Sequence, residues 1–175
     1  MAKPRIIGGR AKGRALLTPK RGTRPSPARL REALFNILAF REPGRFLDVY
    51  AGSGAVGLEA ASRGWRATCV DLSAEAVAVM RQNARALGLD VELVKGDALA
   101  YARAQPQAFD VAFAAPPYPD DLAAIFQQLL DTEVVRLGGL YVFQHPTHLT
   151  LSLETPWPTS LRRYGSNALT IASVG

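Results

Sequence analysis

The chain has 175 residues, 48% of them hydrophobic and 21% charged, with a single cysteine. That is enough for one domain with a proper core and too little for two large ones, and it excludes a disordered, collagenous or disulfide-stapled protein. The net charge of +6 is unevenly held: residues 1–45 carry twelve Lys/Arg against two Glu, and the rest of the chain carries nine against thirteen Asp/Glu.

A basic arm on a mildly acidic body is the electrostatic footprint of a protein that meets phosphate backbones; a solvated basic face without a partner is the plainer alternative. No apolar run approaches the roughly 18 residues of a membrane span, and no apolar signal segment follows the basic N-terminus. A cytoplasmic protein with no membrane partner is expected.

In chain order, residues 5–17 hold two short apolar runs split by glycines and cations. They read as a small β-hairpin with Arg10, Lys12 and Arg14 pointing outward together. The stretch 18–27 is too rich in proline and glycine for regular structure. Ser26-Pro27 starts a helix whose Leu30, Ala33, Leu34, Ile37 and Leu38 share one face, with Arg29 and Arg31 off that stripe. Pro43-Gly44 ends it, dividing a basic arm (1–44) from the body (45–175).

The body alternates strands and helices. Strands are expected at 46–51, 67–70, 91–94, 109–114 and 140–144, and helices at 55–63, 74–87, 98–103 and 122–130. Residues 161–164 and 168–173 close the chain as an antiparallel hairpin. This pattern predicts an α/β fold, a mostly parallel sheet with helices on both faces.

Chemistry gathers where ligands of such sheets bind, beyond the carboxyl ends of the strands. Gly52-x-Gly54-x-x-Gly57 follows the first strand and opens a helix, and Asp71 stands 19 residues beyond Gly52 at the end of the second strand. This satisfies a dinucleotide fingerprint, which does not separate NAD from other adenosine-bearing cofactors. Asp48 does: a carboxylate before the glycines suits a cationic amino-acid tail and repels a pyrophosphate, which points to S-adenosylmethionine. Asp71 is placed to accept from ribose hydroxyls and Asp97, after the third strand, from the adenine amine. Cys69 reads as a buried, inert thiol. His145 and His148 are too isolated to suggest a metal.

Arg5-Ile6-Ile7-Gly8-Gly9, Lys12-Gly13-Arg14, Arg24-Pro25-Ser26, Arg31-Glu32-Ala33-Leu34-Phe35-Asn36, Ala51-Gly52-Ser53-Gly54 with Gly57-Leu58-Glu59-Ala60, and Pro116-Pro117-Tyr118 together resemble the RsmD-like family of bacterial 16S ribosomal RNA guanine-N2 methyltransferases. The resemblance implies a Rossmann-like class I methyltransferase with a seven-stranded sheet, using S-adenosylmethionine and no metal. It implies a cofactor site of Asp48, Tyr50, Ala51, Gly52, Ser53, Gly54, Asp71, Leu72, Asp97 and Ala98, with Arg24, Ser26 and Asn36 toward the methionine end. The catalytic turn would be Ala115, Pro116, Pro117 and Tyr118, the tyrosine stacking on the base for about 1–3 kcal/mol. RNA contacts are expected from Arg5, Arg10, Lys12, Arg14, Lys20, Arg21 and Arg29. The implied partner is 16S rRNA or the assembling 30S subunit, met by a monomer.

One residue departs from the pattern. The family carries Asp, or in related enzymes Asn, before the two prolines, where this chain has Ala115. The exocyclic amine of guanine is a poor nucleophile whose lone pair is delocalised into the ring, and a fixed acceptor would bind its protons and free that pair. Backbone carbonyls of Ala115 and Pro116 remain, and Asp120, Asp121 or His145 are candidate substitutes. Beside an active methyltransferase stand three alternatives: a cofactor- and RNA-binding homologue with weak or no turnover, a DNA methyltransferase, and an NAD-dependent oxidoreductase.

Overall fold

A computed structural model describes residues 3–20, 26–117 and 121–175; Arg21, Arg24 and Tyr118, singled out above, lie outside the described residues, as does Asp120. The elements run α1 (Ala28–Ile37), β1 (Arg45–Val49), α2 (Ala55–Ser62), β2 (Arg66–Asp71), α3 (Ala74–Leu87), β3 (Glu92–Lys95), α4 (Ala98–Arg103), β4 (Phe109–Ala114), α5 (Leu122–Asp131), β5 (Val135–Pro146), β6 (Thr159–Tyr164) and β7 (Asn167–Ser173).

Seven strands form one sheet in the order β3-β2-β1-β4-β5-β7-β6. The first five are parallel, and β7 runs antiparallel to both β5 and β6. Strand direction explains the reversal: β6 and β7 are joined by a tight turn at Gly165, φ 65°, which supports only an antiparallel pair. The chain reverses its winding between β1 and β4, the topological switch point of the sheet.

Alternation along the strands divides the core. Leu47, Val49, Ala112, Ala114, Tyr141 and Phe143 face α4 and α5, where Phe126 stacks on Phe143. Phe46, Val111, Phe113, Leu140 and Val142 face α1 and α2. Ridge residues Leu30, Leu34 and Phe35 of α1 fill that second layer, as the helical stripe predicts. Gly57 lets α2 approach the sheet, since a Cβ there would collide with the Cys69 sulfur and crowd Asp48.

Three expectations change. Residues 5–17 do not form extended strands: one isolated bridge, Arg5 to Ala15, closes the turn. Ile6, Ala11 and Leu16 instead sink into a cluster with Leu58, Ala84, Leu87 and Leu89 of the body. β5 is much longer than the expected 140–144 because Gly138 and Gly139, read as a break before the strand, lie inside it, where the β4 register shifts between Phe109 and Val111. α1 ends at Ile37 with Leu38 as its C-cap, before the expected Pro43-Gly44, and Arg31, off its apolar stripe, is 1% exposed.

Candidate functional site

The first strand leaves the sheet through a strained turn. Tyr50 has φ 59°, uncommon for a residue with a Cβ, and Gly52 and Gly54 follow at φ 59° and 80°. Gly54 is the N-cap of α2 and has no side chain to cap it. Asp48 replaces that cap from the neighbouring strand: its Oδ2 accepts the Gly57 N–H at 2.9 Å, the amide of the third helical residue. Asp48 is thereby held beneath the turn, 2% exposed. Burial pushes its carboxyl up to about 7, with the Gly57 hydrogen bond opposing and Asp71 adding to the rise.

The second acid closes the same rim. Asp71 Oδ2 accepts from Gly52 N at 2.9 Å and Oδ1 from Ser73 N at 2.9 Å. Gly96 N donates to the Asp71 carbonyl at 3.0 Å, so the ends of β2 and β3 meet. Asp97 caps α4, taking the Ala100 amide at 2.8 Å, with Ala98 buried behind it and Leu72 exposed beside Asp71. Each carboxylate keeps lone pairs beyond these bonds. The turn, Asp71 and Asp97 therefore form one continuous edge, as the spacing predicts.

Ser53, inside this turn, carries a buried hydroxyl with no hydrogen-bond partner, the single such side-chain atom among the described residues. An orphaned hydroxyl costs about 1–3 kcal/mol, which a polar ligand at the turn would offset. Together with the left-handed glycines and the acid rim, it fits an adenosine-bearing cofactor. Asn83 of α3, buried at 2% exposure, grips the turn from below: its Nδ2 donates to Ser53 O at 3.2 Å and Leu17 O at 3.0 Å, and its Oδ1 accepts from Leu17 N at 2.8 Å.

A buried ion pair fastens the arm. Glu59 of α2 is fully enclosed and accepts four donors: Ile7 N at 2.8 Å, Gly8 N at 2.9 Å, Arg63 Nε at 2.8 Å and Arg31 Nη1 at 3.2 Å. Arg31 also donates to the Arg5 and Ser26 carbonyls at 2.9 Å and 3.2 Å. Burial pulls the Arg31 guanidinium below its ordinary pKa, and Glu59 opposes that. Sequence reasoning missed Asn83 and the Arg31–Glu59 pair. The available signal was Glu59 itself, the one charge in an otherwise apolar helix that packs on both sides.

Across the switch point, β4 ends at Ala114 and is followed by Ala115, half-buried, Pro116, buried, and Pro117, exposed. Of the named substitutes His145 is engaged elsewhere, and Asp121 is engaged through one oxygen. His145 is 1% exposed: its Nδ1–H donates to the Pro146 carbonyl at 2.9 Å and its Nε2 accepts from the Thr170 hydroxyl at 2.7 Å. Burial lowers its pKa, the Pro146 contact opposing. Asp121 caps α5 through the Ala124 amide.

The structure also separates Asn36 from the carboxyl rim of the sheet. Helix α1 starts at that rim, where the Ser26 hydroxyl donates to Gln144 Oε1 at 2.8 Å, and descends to the opposite pole, where Arg41 reaches the Gly138 carbonyl. Asn36 sits exposed in its last turn, roughly 12 Å below Ala28 at 1.5 Å per residue. Ser26 stays at the rim.

Among the expected RNA contacts, Arg5, Arg10, Lys12, Arg14, Lys20 and Arg29 are exposed. Arg10 and Arg14 also donate to the Gly88 and Ala86 carbonyls at 2.9 Å and 2.8 Å. These bonds fix both guanidiniums against the negative end of α3 while their remaining N–H groups face water.

The model of the family described as Conserved hypothetical protein 95 matches residues 4–173. This chain belongs to that RsmD-like family. It is 31% identical over 156 residues to a putative rRNA methyltransferase of Bacillus subtilis, covering 84% of this chain and 85% of that one. It is 36% identical over 118 residues to the ribosomal RNA small subunit methyltransferase D of Escherichia coli K12, covering 65% of this chain and 60% of that one. A solved hypothetical protein of Thermus thermophilus shares 50% identity with a TM-score of 0.88, covering 98% of this chain and 99% of that one. The fold of this RsmD-like protein is accordingly the Rossmann-like methyltransferase fold, and the residues that stitch its arm to its body fall inside the matched span.

Proposed function

We propose that this RsmD-like protein transfers a methyl group from S-adenosylmethionine to the exocyclic N2 amine of a guanine in 16S rRNA, acting in the cytoplasm as a monomer on the RNA or the assembling 30S subunit. The observation that carries the reading is the hydrogen bond from Gly52 to Asp71, which makes the strained turn and two acid-bearing strand ends one edge beside the Pro116-Pro117 turn. Family membership sets aside the oxidoreductase alternative and the names of the relatives favour RNA over DNA.

When bound, the cofactor supplies an activated methyl on a cationic sulfonium. Asp71 and Asp97 would take ribose hydroxyls and the adenine amine, and Tyr50, Ala51, Gly52, Ser53, Gly54, Leu72 and Ala98 would line the same edge. Asp48 would act on the cationic tail from beneath the turn. Transfer would join the amine nitrogen to that methyl and leave the S–C bonding pair on sulfur and the surplus amine proton to water, and the part of this chain would be to hold the two reactants in line. Ala115 and Pro116 would offer carbonyls to the amine, and Tyr118 would hold the base. The arm, residues 1–44, would supply the RNA contact through its exposed cations.

The test is transfer of labelled methyl to purified 30S particles by the natural protein and by Ala115→Asp. Transfer by the natural protein supports the reading, and no transfer by the natural protein defeats it, whatever the aspartate variant does. The missing acceptor at Ala115 favours one other reading, a cofactor- and RNA-binding homologue without turnover. Calorimetric binding of S-adenosylmethionine with no methylated product would select it.

A further inference from the structure

The amine of the target base calls for a side-chain acceptor that Ala115 lacks, and the neighbouring strand holds one. In the parallel β4–β5 pair Ala114 lies opposite Phe143, so the next positions, Ala115 and Gln144, are neighbours at the spacing of adjacent strands, about 4.8 Å. Alternation puts both on the α1 side of the sheet, the side of Phe113 and Val142. Both stand at the carboxyl rim, beside the cofactor edge built on β1.

The Gln144 side chain is 9% exposed and is oriented by Ser26, whose hydroxyl donates to Oε1 at 2.8 Å. Ser26 is in turn fixed by Arg31 through its carbonyl, so the carboxamide is held by the same buried network that fastens the arm. Among the described residues its side chain has no other hydrogen-bond partner. A carboxamide oxygen has two lone pairs and Ser26 uses one, which leaves an acceptor and two N–H donors at the rim. His145 is committed through both ring nitrogens to Pro146 and Thr170, and Asp121 is spent in part on the α5 cap and is exposed, without the fixed orientation that Ser26 gives Gln144.

We propose that the Gln144 carboxamide, tethered by Ser26 beside Ala115, is the group that receives an N–H of the guanine's exocyclic amine, doing from β5 what an aspartate before the prolines does from β4. The amide neither gains nor loses a proton; it selects for a base that carries the amine and turns that amine's lone pair toward the methyl donor. A neutral acceptor also spares the site a further carboxylate on the α1 side of the sheet, where Asp48 already lies. This inference rests on the guanine-N2 reading above for its substrate, and its test is separable from that reading.

The test compares guanosine monophosphate with inosine monophosphate, which lacks only the amine, by competition in saturation-transfer NMR on protein loaded with S-adenosylhomocysteine. The natural protein is expected to prefer guanosine by about five- to tenfold, the worth of one hydrogen bond. Gln144→Met should abolish the preference and Gln144→Glu, which keeps an acceptor, should retain it. Adding Ala115→Asp to Gln144→Met should restore it, a rescue that a purely structural role would not give. Gln144→Val, suited to a strand, takes the place of the methionine variant if that variant does not fold. No preference in the natural protein, a preference unchanged in Gln144→Met or Gln144→Val, or failure of the aspartate to rescue would overturn the proposal. Methyl transfer to 30S particles is scored in parallel. A nucleotide preference without transfer defeats the enzymatic reading and leaves the Gln144 assignment standing; transfer undiminished in Gln144→Met defeats the assignment alone.

Discussion

Replacing Asp48 by asparagine removes a buried charge and keeps an oxygen for the Gly57 amide, and the effect on stability should depend on pH with a definite sign. In the folded protein burial raises the Asp48 carboxyl to about 7, whereas in the unfolded chain it titrates near 3.9. Below about pH 4 the group is protonated in both states and contributes no penalty. Between about 4 and 7 the folded state keeps a proton that the unfolded state has lost, so stability falls as pH rises. Above about 7 the loss is complete. A shift of about three units at 1.36 kcal/mol each makes the full penalty roughly 4 kcal/mol. Urea denaturation of the natural protein and Asp48→Asn at pH 5 and pH 8 reads the difference directly, because the titration of His145 is common to both. The asparagine variant should gain much more at pH 8 than at pH 5. An equal gain at both pH values, or a variant less stable at pH 8, would refute a carboxyl raised by burial.

The same group gives a test of its relation to the cofactor. If a cationic tail acts on Asp48, S-adenosylmethionine binding at pH 7 should release up to about half a proton, seen as a buffer-dependent heat in calorimetry; a heat independent of buffer would exclude that contact. Glu59→Ala strands Arg31 in the interior and should cost about 3–5 kcal/mol in urea denaturation; a loss below 1 kcal/mol would mean that the pair is dispensable. Gly57→Ala drives a methyl into the Cys69 sulfur and should cost about 1–3 kcal/mol, and an unchanged melting temperature would contradict the packing described. Replacing Arg10, Lys12 and Arg14 together with alanine should weaken RNA binding and reduce the slope of log affinity against log salt by about two to three, whereas an unchanged slope would remove the arm from the interface.

What could be read from the sequence was local or periodic. The alternation of strands and helices, the glycine turn and the acids ending successive strands depend on short spacings, and each appears where expected. Long-range pairing was not legible. Glu59 meets Arg31 from 28 residues away and Ile7 from 52, and nothing in the helical period of α1 distinguishes a buried arginine from a solvated one. Asn36 shares a helical ridge with Glu32 that suits either a surface or a cofactor contact, and the direction of α1, which carries it away from the rim, follows only once Ser26 and Arg41 are seen at opposite poles. Gln144 read as an ordinary strand residue until β5 was in register with β4, since its relation to Ala115 exists only across two strands.

The fastening of residues 5–8 to Glu59 bears on how such proteins diversify. Because the glutamate draws two amides from the N-terminal segment and the guanidiniums of Arg31 and Arg63, a foreign N-terminal arm cannot be grafted onto this sheet as an independent cassette. A working chimera would have to carry Arg31 together with the first residues of the arm, and exchange of arms among relatives should follow that joint inheritance.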